Sequence, residues 1–198
     1  MPKIILITHQ KGGVGKSTLT FNLAVNLVDN AKVCIVDMDY QGSLNKVREL
    51  SKVPVLTADQ LSETAKSDYD FIFIDTPPYL TDKFSELCQM ADIILIPTKA
   101  GVFDLLAINS TIDMIKAEKC ENKAVIVFNM VKPNTTMTKE IQDQLKEYGI
   151  KVAKTMISDL VAFTRSSVLN GVEDNNRAQK QIDNLTKEVL TLTLNKNG

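Results

Sequence analysis

The chain reads as an α/β protein: a doubly wound, mostly parallel sheet flanked by helices on both faces. Three observations predict this. Short, nearly continuous runs of Ile, Val, Leu and Phe recur along the chain, as strands buried on both faces do. Segments of helical spacing separate them, and strand–helix alternation implies a sheet wound in both directions. A glycine-rich stretch, "HQKGGVGKST", stands between the first apolar run and the first helical segment.

In chain order, strands are expected at 3–9, 32–38, 70–76, 92–98 and 123–129, with a more weakly patterned one at 151–157. Helical spacing covers residues near 16–29, 81–91, 102–119, 137–147 and 176–193. The last helix is the clearest amphipathic one. Ile182, Leu185, Val189 and Leu192 form one stripe, and Arg177, Lys180 and Lys187 fall nearly opposite. There is no repeat, low-complexity tract or Pro/Gly-rich linker, so residues 1–198 are expected to form a single domain.

A net charge of −1 excludes bulk basicity as a route to nucleic acid; any DNA contact must come from a local patch. Cys34, Cys88 and Cys120 are odd in number and far apart. That argues against a disulfide framework or a zinc site and for small core residues in a reducing cytoplasm. The first residues do not read as a signal peptide, and no apolar run reaches the length of a membrane span.

The glycine-rich stretch is a phosphate-binding loop with one departure. The pattern G-x-x-x-x-G-K-[ST] requires glycine at position 10, where the chain has Gln10 followed by Lys11. Gly12, Gly13 and Gly15 allow the backbone, with Val14, to aim N–H groups at phosphate oxygens. The helix opening at Lys16, Ser17 and Thr18 adds its positive end. Lys16 is expected on the β- and γ-phosphates and Ser17 on Mg²⁺. A second ammonium about 4 Å from the first is repelled by ~4 kcal/mol at an effective dielectric of 20. That cost vanishes if Lys11 points away, toward the triphosphate of another molecule, as an arginine finger does. The alternative is a surface lysine without a role.

Asp37 and Asp39 end the second strand, where alternation points them to one side, at the edge that opens on the ligand crevice. Asp37 suits holding the metal's waters, and Asp39 suits orienting the attacking water. "FIFID" is an apolar strand ending in an acid, and its Asp75 suits Mg²⁺. Asn129 ends a further strand, either pairing with the edge of adenine or capping its loop. His9 reads as packing, because phosphoryl transfer rests on positioning and electrostatics.

"KGGVGKST", "VDMDYQGS" and "FIFIDTPP" in this order resemble the ParA/MinD family of P-loop ATPases with a deviant Walker A loop, closest to the short ParA type. The resemblance runs from Lys3 to the last helix. It implies ATP and Mg²⁺ as cofactors, Lys11 as the lysine that crosses to the partner's nucleotide, Asp39 as the switch I acid and Asp75 as the Walker B acid. It further implies an ATP-dependent homodimer or higher assembly, non-specific DNA binding with a contacting arginine where Arg177 stands, and a ParB-like or other centromere-binding partner that stimulates hydrolysis. The implied role is plasmid or chromosome partition by a cytoplasmic protein that joins the nucleoid when ATP-bound. No membrane partner is implied; the alternative is a MinD-like membrane-cycling ATPase, for which the ending "LTLTLNKNG" is poor in cations and aromatics. Tyr40 stands where the family usually has Pro, and "IPTKAGVFDL" lacks a proline often seen there.

Overall fold

The computed structural model describes residues 1–39, 42, 44–79, 82–132 and 144–194. Seven strands form one sheet: β1 (Lys3–Ile7), β2 (Val33–Asp37), β3 (Val55–Thr57), β4 (Phe71–Asp75), β5 (Ile93–Thr98), β6 (Ala124–Phe128) and β7 (Lys151–Val152). Their order is β3-β2-β4-β1-β5-β6-β7, and every pairing is parallel. The helices described from end to end are α1 (Lys16–Val25), α2 (Leu61–Thr64), α3 (Phe84–Met90), α4 (Val102–Ala117), α5 (Val161–Leu169) and α6 (Asn176–Leu194).

Because successive strand residues face opposite sides, each strand feeds two cores. Ile4 and Leu6 of β1 join a cluster with Phe84 and Leu87 of α3 and Ile108, Ile112 and Ile115 of α4. Ile5 and Ile7 join the opposite cluster, with Leu19 and Leu23 of α1 and Ile182, Leu185 and Val189 of α6. Each fully buried side chain of this kind contributes about 1.5–3 kcal/mol relative to exposure. Both faces are thereby covered, which is what the continuous apolar runs require. Cys34, Cys88 and Cys120 are buried free thiols.

Pro97 lies inside β5, a central strand. Thr8 N–H donates to the Leu95 carbonyl, so Leu95, and Pro97 two residues on, face the β1 side. Paired register with β1 ends at Ile7–Leu95. The missing N–H of Pro97 therefore falls where there is no ladder left to join.

Several expected boundaries change. The second strand stops at Asp37, not 38, and the strand expected over 151–157 is confined to Lys151–Val152. Strand β3 and helix α5 were not expected from the sequence. The segment 137–143 and Tyr40 lie outside the described residues; residues 144–147 are helical, as expected. Among the described residues no helix is long and apolar enough to cross a membrane.

The connections place the site. From β1 the chain crosses by α1 toward β2, on one side; from β5 it crosses by α4 toward β6, on the other. Strands β1 and β5 are neighbours, so their carboxyl ends border a topological switch point, where open α/β sheets carry their ligand crevice.

Candidate functional site

Residues 8–15 join β1 to α1 across that crevice. Gly13 and Gly15 have φ of 70° and 86°, the left-handed region where glycine is at no disadvantage. Gly15 is the N-cap of α1 and makes no side-chain cap, so the first N–H groups of the helix are left for an anion. The Lys16 ammonium is buried and donates to the carbonyls of His9 at 3.1 Å and Lys11 at 3.2 Å. Burial lowers its pKa, and the charges of Asp75 and Asp39 oppose that. Val14 is fully buried, and Ser17 and Thr18 are half-buried on the first helical turn.

Parallel register sets Asp37 level with Asp75 on the adjacent strand, and Ile7 level with Asp75 on its other side. Burial pushes the Asp75 carboxyl up to about 7, and hydrogen bonds from Ser17 and Thr20 oppose the shift. Burial also raises Asp37. Its carboxylate accepts the backbone N–H of Asp39 at 3.0 Å and of Asn45 at 3.1 Å. A Cβ on Gly42 would stand 2.5 Å from that carboxylate, so only glycine approaches it this closely there. Asp39 is beyond the strand, its N–H turned onto the Asp37 carboxylate, and strand alternation does not set its direction.

Ser17, bonded to Asp75, and Asp37, level with Asp75 on the next strand, offer hard oxygen donors side by side, which fits Mg²⁺. Among the described residues no group of three or more His, Cys, Asp or Glu forms a cage. A divalent ion here would depend on water and phosphate oxygens to complete its shell, the habit of Mg²⁺.

Lys11 turns out of the loop. Its ammonium pairs with Asp104 in the first turn of α4, at 2.7 Å, with side chains 38% and 15% exposed. Its N–H donates to His9 Nδ1 at 2.8 Å, and the N–H of Gln10 donates to Thr111 Oγ1 at 3.1 Å. His9 is fully buried, as a packing reading expects, and it also fixes the loop backbone. Desolvation, then the charges of Lys16 and Lys11, lower its pKa to about 4. The imidazole is therefore neutral, with Nδ1 the acceptor and the proton on Nε2.

Asn129 is 5% exposed at the end of β6, and its amide donates to the Val14 carbonyl at 2.8 Å. A Cβ on Gly15 would fall 2.3 Å from that amide nitrogen. Asn129 therefore ties the phosphate loop to the sheet. It also lines a cleft beside Gly15 with Thr18, Met130, Ser158, Asp159 and Phe163. That cleft opens next to the loop, where a nucleotide base would follow its phosphates.

The three cations of α6 are exposed, with Arg177 bonded to Ser158 Oγ at 3.2 Å. Gln181 and Glu188 bind the backbone of the 154–158 loop, which brings exposed Lys154 alongside the helix. Sequence reading missed Asp104, Thr111 and Lys154. The first two lie 93 and 101 residues from their partners, a separation that no local pattern reveals.

Relatives resemble this arrangement along most of the chain. The "Maintenance of carboxysome distribution protein A" of Halothiobacillus neapolitanus is 31% identical over 85% of this chain and 84% of its own. The sporulation initiation inhibitor protein Soj of Bacillus subtilis is 25% identical over 79% of this chain and 84% of its own. A plasmid partition protein of Borrelia burgdorferi B31, solved bound to AMPPNP, superposes with a TM-score of 0.72 at 19% identity, over 99% of this chain and 100% of that one. The glycine loop, the acid-tipped strands and this likeness agree: with residues 5–169 matched, the chain belongs to the CobQ/CobB/MinD/ParA family of nucleotide-binding domains.

Proposed function

We propose that this chain is a Mg²⁺-dependent ATPase that works as a dimerisation switch in moving a cargo over DNA. The observation that carries the reading is the pair of loop lysines. Lys16 lies buried along the loop, and Lys11 turns away from it onto Asp104, with its side chain 38% exposed. In this reading the backbone of residues 12–15 and Lys16 hold the phosphates, and the base enters the cleft beside Asn129 and Phe163. Ser17, Asp37 and Asp75 hold Mg²⁺ or its waters. The metal supplies charge neutralisation on the phosphates; Asp39 orients the attacking water. Lys11 serves the nucleotide of a second copy. Pairing doubles a weak basic patch of Arg177, Lys180 and Lys187, so DNA retention follows ATP without any change at the patch. A cargo-bound partner that stimulates hydrolysis would release the complex.

The cargo is proposed at this level because the relatives' names point to different ones, carboxysomes in one case and a plasmid in another. Sedimentation with ATP and Mg²⁺, with ADP, and without nucleotide tests the switch, with a parallel gel shift on non-specific DNA. Dimer and DNA retention are expected with ATP alone. Lys16→Ala should lose nucleotide binding, and Lys11→Ala should bind ATP and stay monomeric. Dimerisation of Lys11→Ala as tight as wild type would overturn the role of Lys11.

A further inference from the structure

We infer that Asp104 is a latch for Lys11: it holds the lysine on its own chain and must hand it over when a second copy docks. The inference rests on the dimer reading above and names the residue that regulates it. Gln10 stands where the ordinary phosphate-loop pattern has glycine, Lys11 follows it, and both are bound by α4. Thr111 takes the Gln10 N–H and Asp104 takes the Lys11 ammonium, seven residues apart and so on one face of the helix. The contact spans the switch point, because the β1 and β5 connections leave toward opposite faces of the sheet there.

Asp104 is built to survive the release. It stands in the first turn of α4, where the helix dipole favours a carboxylate. Its second oxygen lies 2.7 Å from where a Cβ of Gly101 would be, so the carboxylate is folded back on the N-cap. When Lys11 leaves, the anion keeps the helix end as its counter-charge. The incoming phosphate offers Lys11 more negative charge than one carboxylate, so the exchange runs toward the dimer only when a triphosphate is presented. Phe103 and Leu106, 81% and 64% exposed in the same turns of α4, are apolar surface that a docking copy would cover.

An ion pair of this exposure changes an equilibrium by up to about fivefold, and one dimer breaks two. Removing the latch should therefore tighten the ATP-dependent dimer by about two- to twenty-fivefold. The experiment measures the dimer dissociation constant by sedimentation with ATP and Mg²⁺ for wild type, Asp104→Ala, Asp104→Asn, Asp104→Glu and Gly101→Ala. It also measures acetylation of Lys11 by acetic anhydride without nucleotide, read by mass spectrometry. Tighter dimers and faster Lys11 acetylation are expected for Asp104→Ala, Asp104→Asn and Gly101→Ala, with Asp104→Glu within twofold of wild type. A merely structural Asp104 would weaken the dimer when lost, not strengthen it. If wild type dimerises and Asp104→Ala is equal or weaker, or if its Lys11 acetylates no faster, the latch is overturned and the switch stands. If neither wild type nor any variant dimerises with ATP, the switch itself falls and the hand-over with it.

Discussion

Asn129 separates two accounts of one side chain. Its amide holds the carbonyl of fully buried Val14 at 2.8 Å, and Gly15 packs close beneath it. Asn129→Ala removes a donor from a buried acceptor, which costs about 1–3 kcal/mol. In a chain of this size each kcal/mol moves the melting temperature by about 2–4 °C, so a fall of about 2–12 °C is expected in nucleotide-free protein. Asn129→Asp should be worse, because it sets a carboxylate oxygen against the Val14 carbonyl and leaves no donor. The loop that loses its tie serves any triphosphate, so affinity for ATP and GTP should fall by the same factor. Thermal denaturation without ligand and titration with fluorescent ATP and GTP analogues measure both. Unchanged stability with a selective loss of ATP over GTP would refute the anchoring argument and return Asn129 to base recognition.

Asp39→Ala should bind ATP and dimerise but turn over at least a hundredfold more slowly, since its place beside the Mg²⁺ donors suits positioning water; steady-state phosphate release checks this. His9 should make the fold acid-sensitive. Its pKa is about 4 in the folded chain against 6.5 when unfolded, so its contribution is complete above pH 6.5 and is lost as pH falls toward 4. The full loss is up to about 3 kcal/mol. Across that window Asp75, raised to about 7, tilts stability the opposite way, so the His9 part is read as a difference. His9→Asn, whose side-chain carbonyl can still accept the Lys11 N–H, should lose less urea resistance than wild type as pH falls from 6.5 to about 4, and curves parallel to wild type would refute the assignment. Arg177→Ala should keep the ATP-dependent dimer and weaken its hold on non-specific DNA. With one phosphate contact per chain removed, the slope of log K against log salt should fall by about 1.8, and an unchanged slope would place the DNA surface elsewhere.

What could be read from sequence follows from what local pattern encodes. Strands β1, β2, β4, β5 and β6 are buried on both faces, and such strands are legible as unbroken apolar runs. Strand β3 pairs only with β2, is three residues long, and is only half-buried past Val55. Helix α5 shows Val161, Val168 and Leu169 to solvent, so its apolar residues do not follow its buried face. Its end did leave a signal, Asn170-Gly171, both at positive φ as in a left-handed helix stop. In the site, the loop was legible because its glycines and lysine are neighbours along the chain. Asp104 and Thr111 were not, because strand order rather than spacing brings α4 to the loop.

The two cores share a sheet but not side chains. Leu6 answers to the α3–α4 layer and Ile7 to the α1–α6 layer, with the backbone of β1 between them. Substitutions in one layer should therefore add to those in the other without interaction energy, whereas pairs within a layer should couple. That independence has an evolutionary reading. Outside Thr111, which holds the phosphate loop, the solvent side of α4, with its exposed Phe103 and Leu106, can be rewritten by successive exchanges while the α1 layer keeps the nucleotide seat. A lineage could change how readily its copies pair, or what they carry, one mutation at a time, and remain a working nucleotide-binding protein at every step.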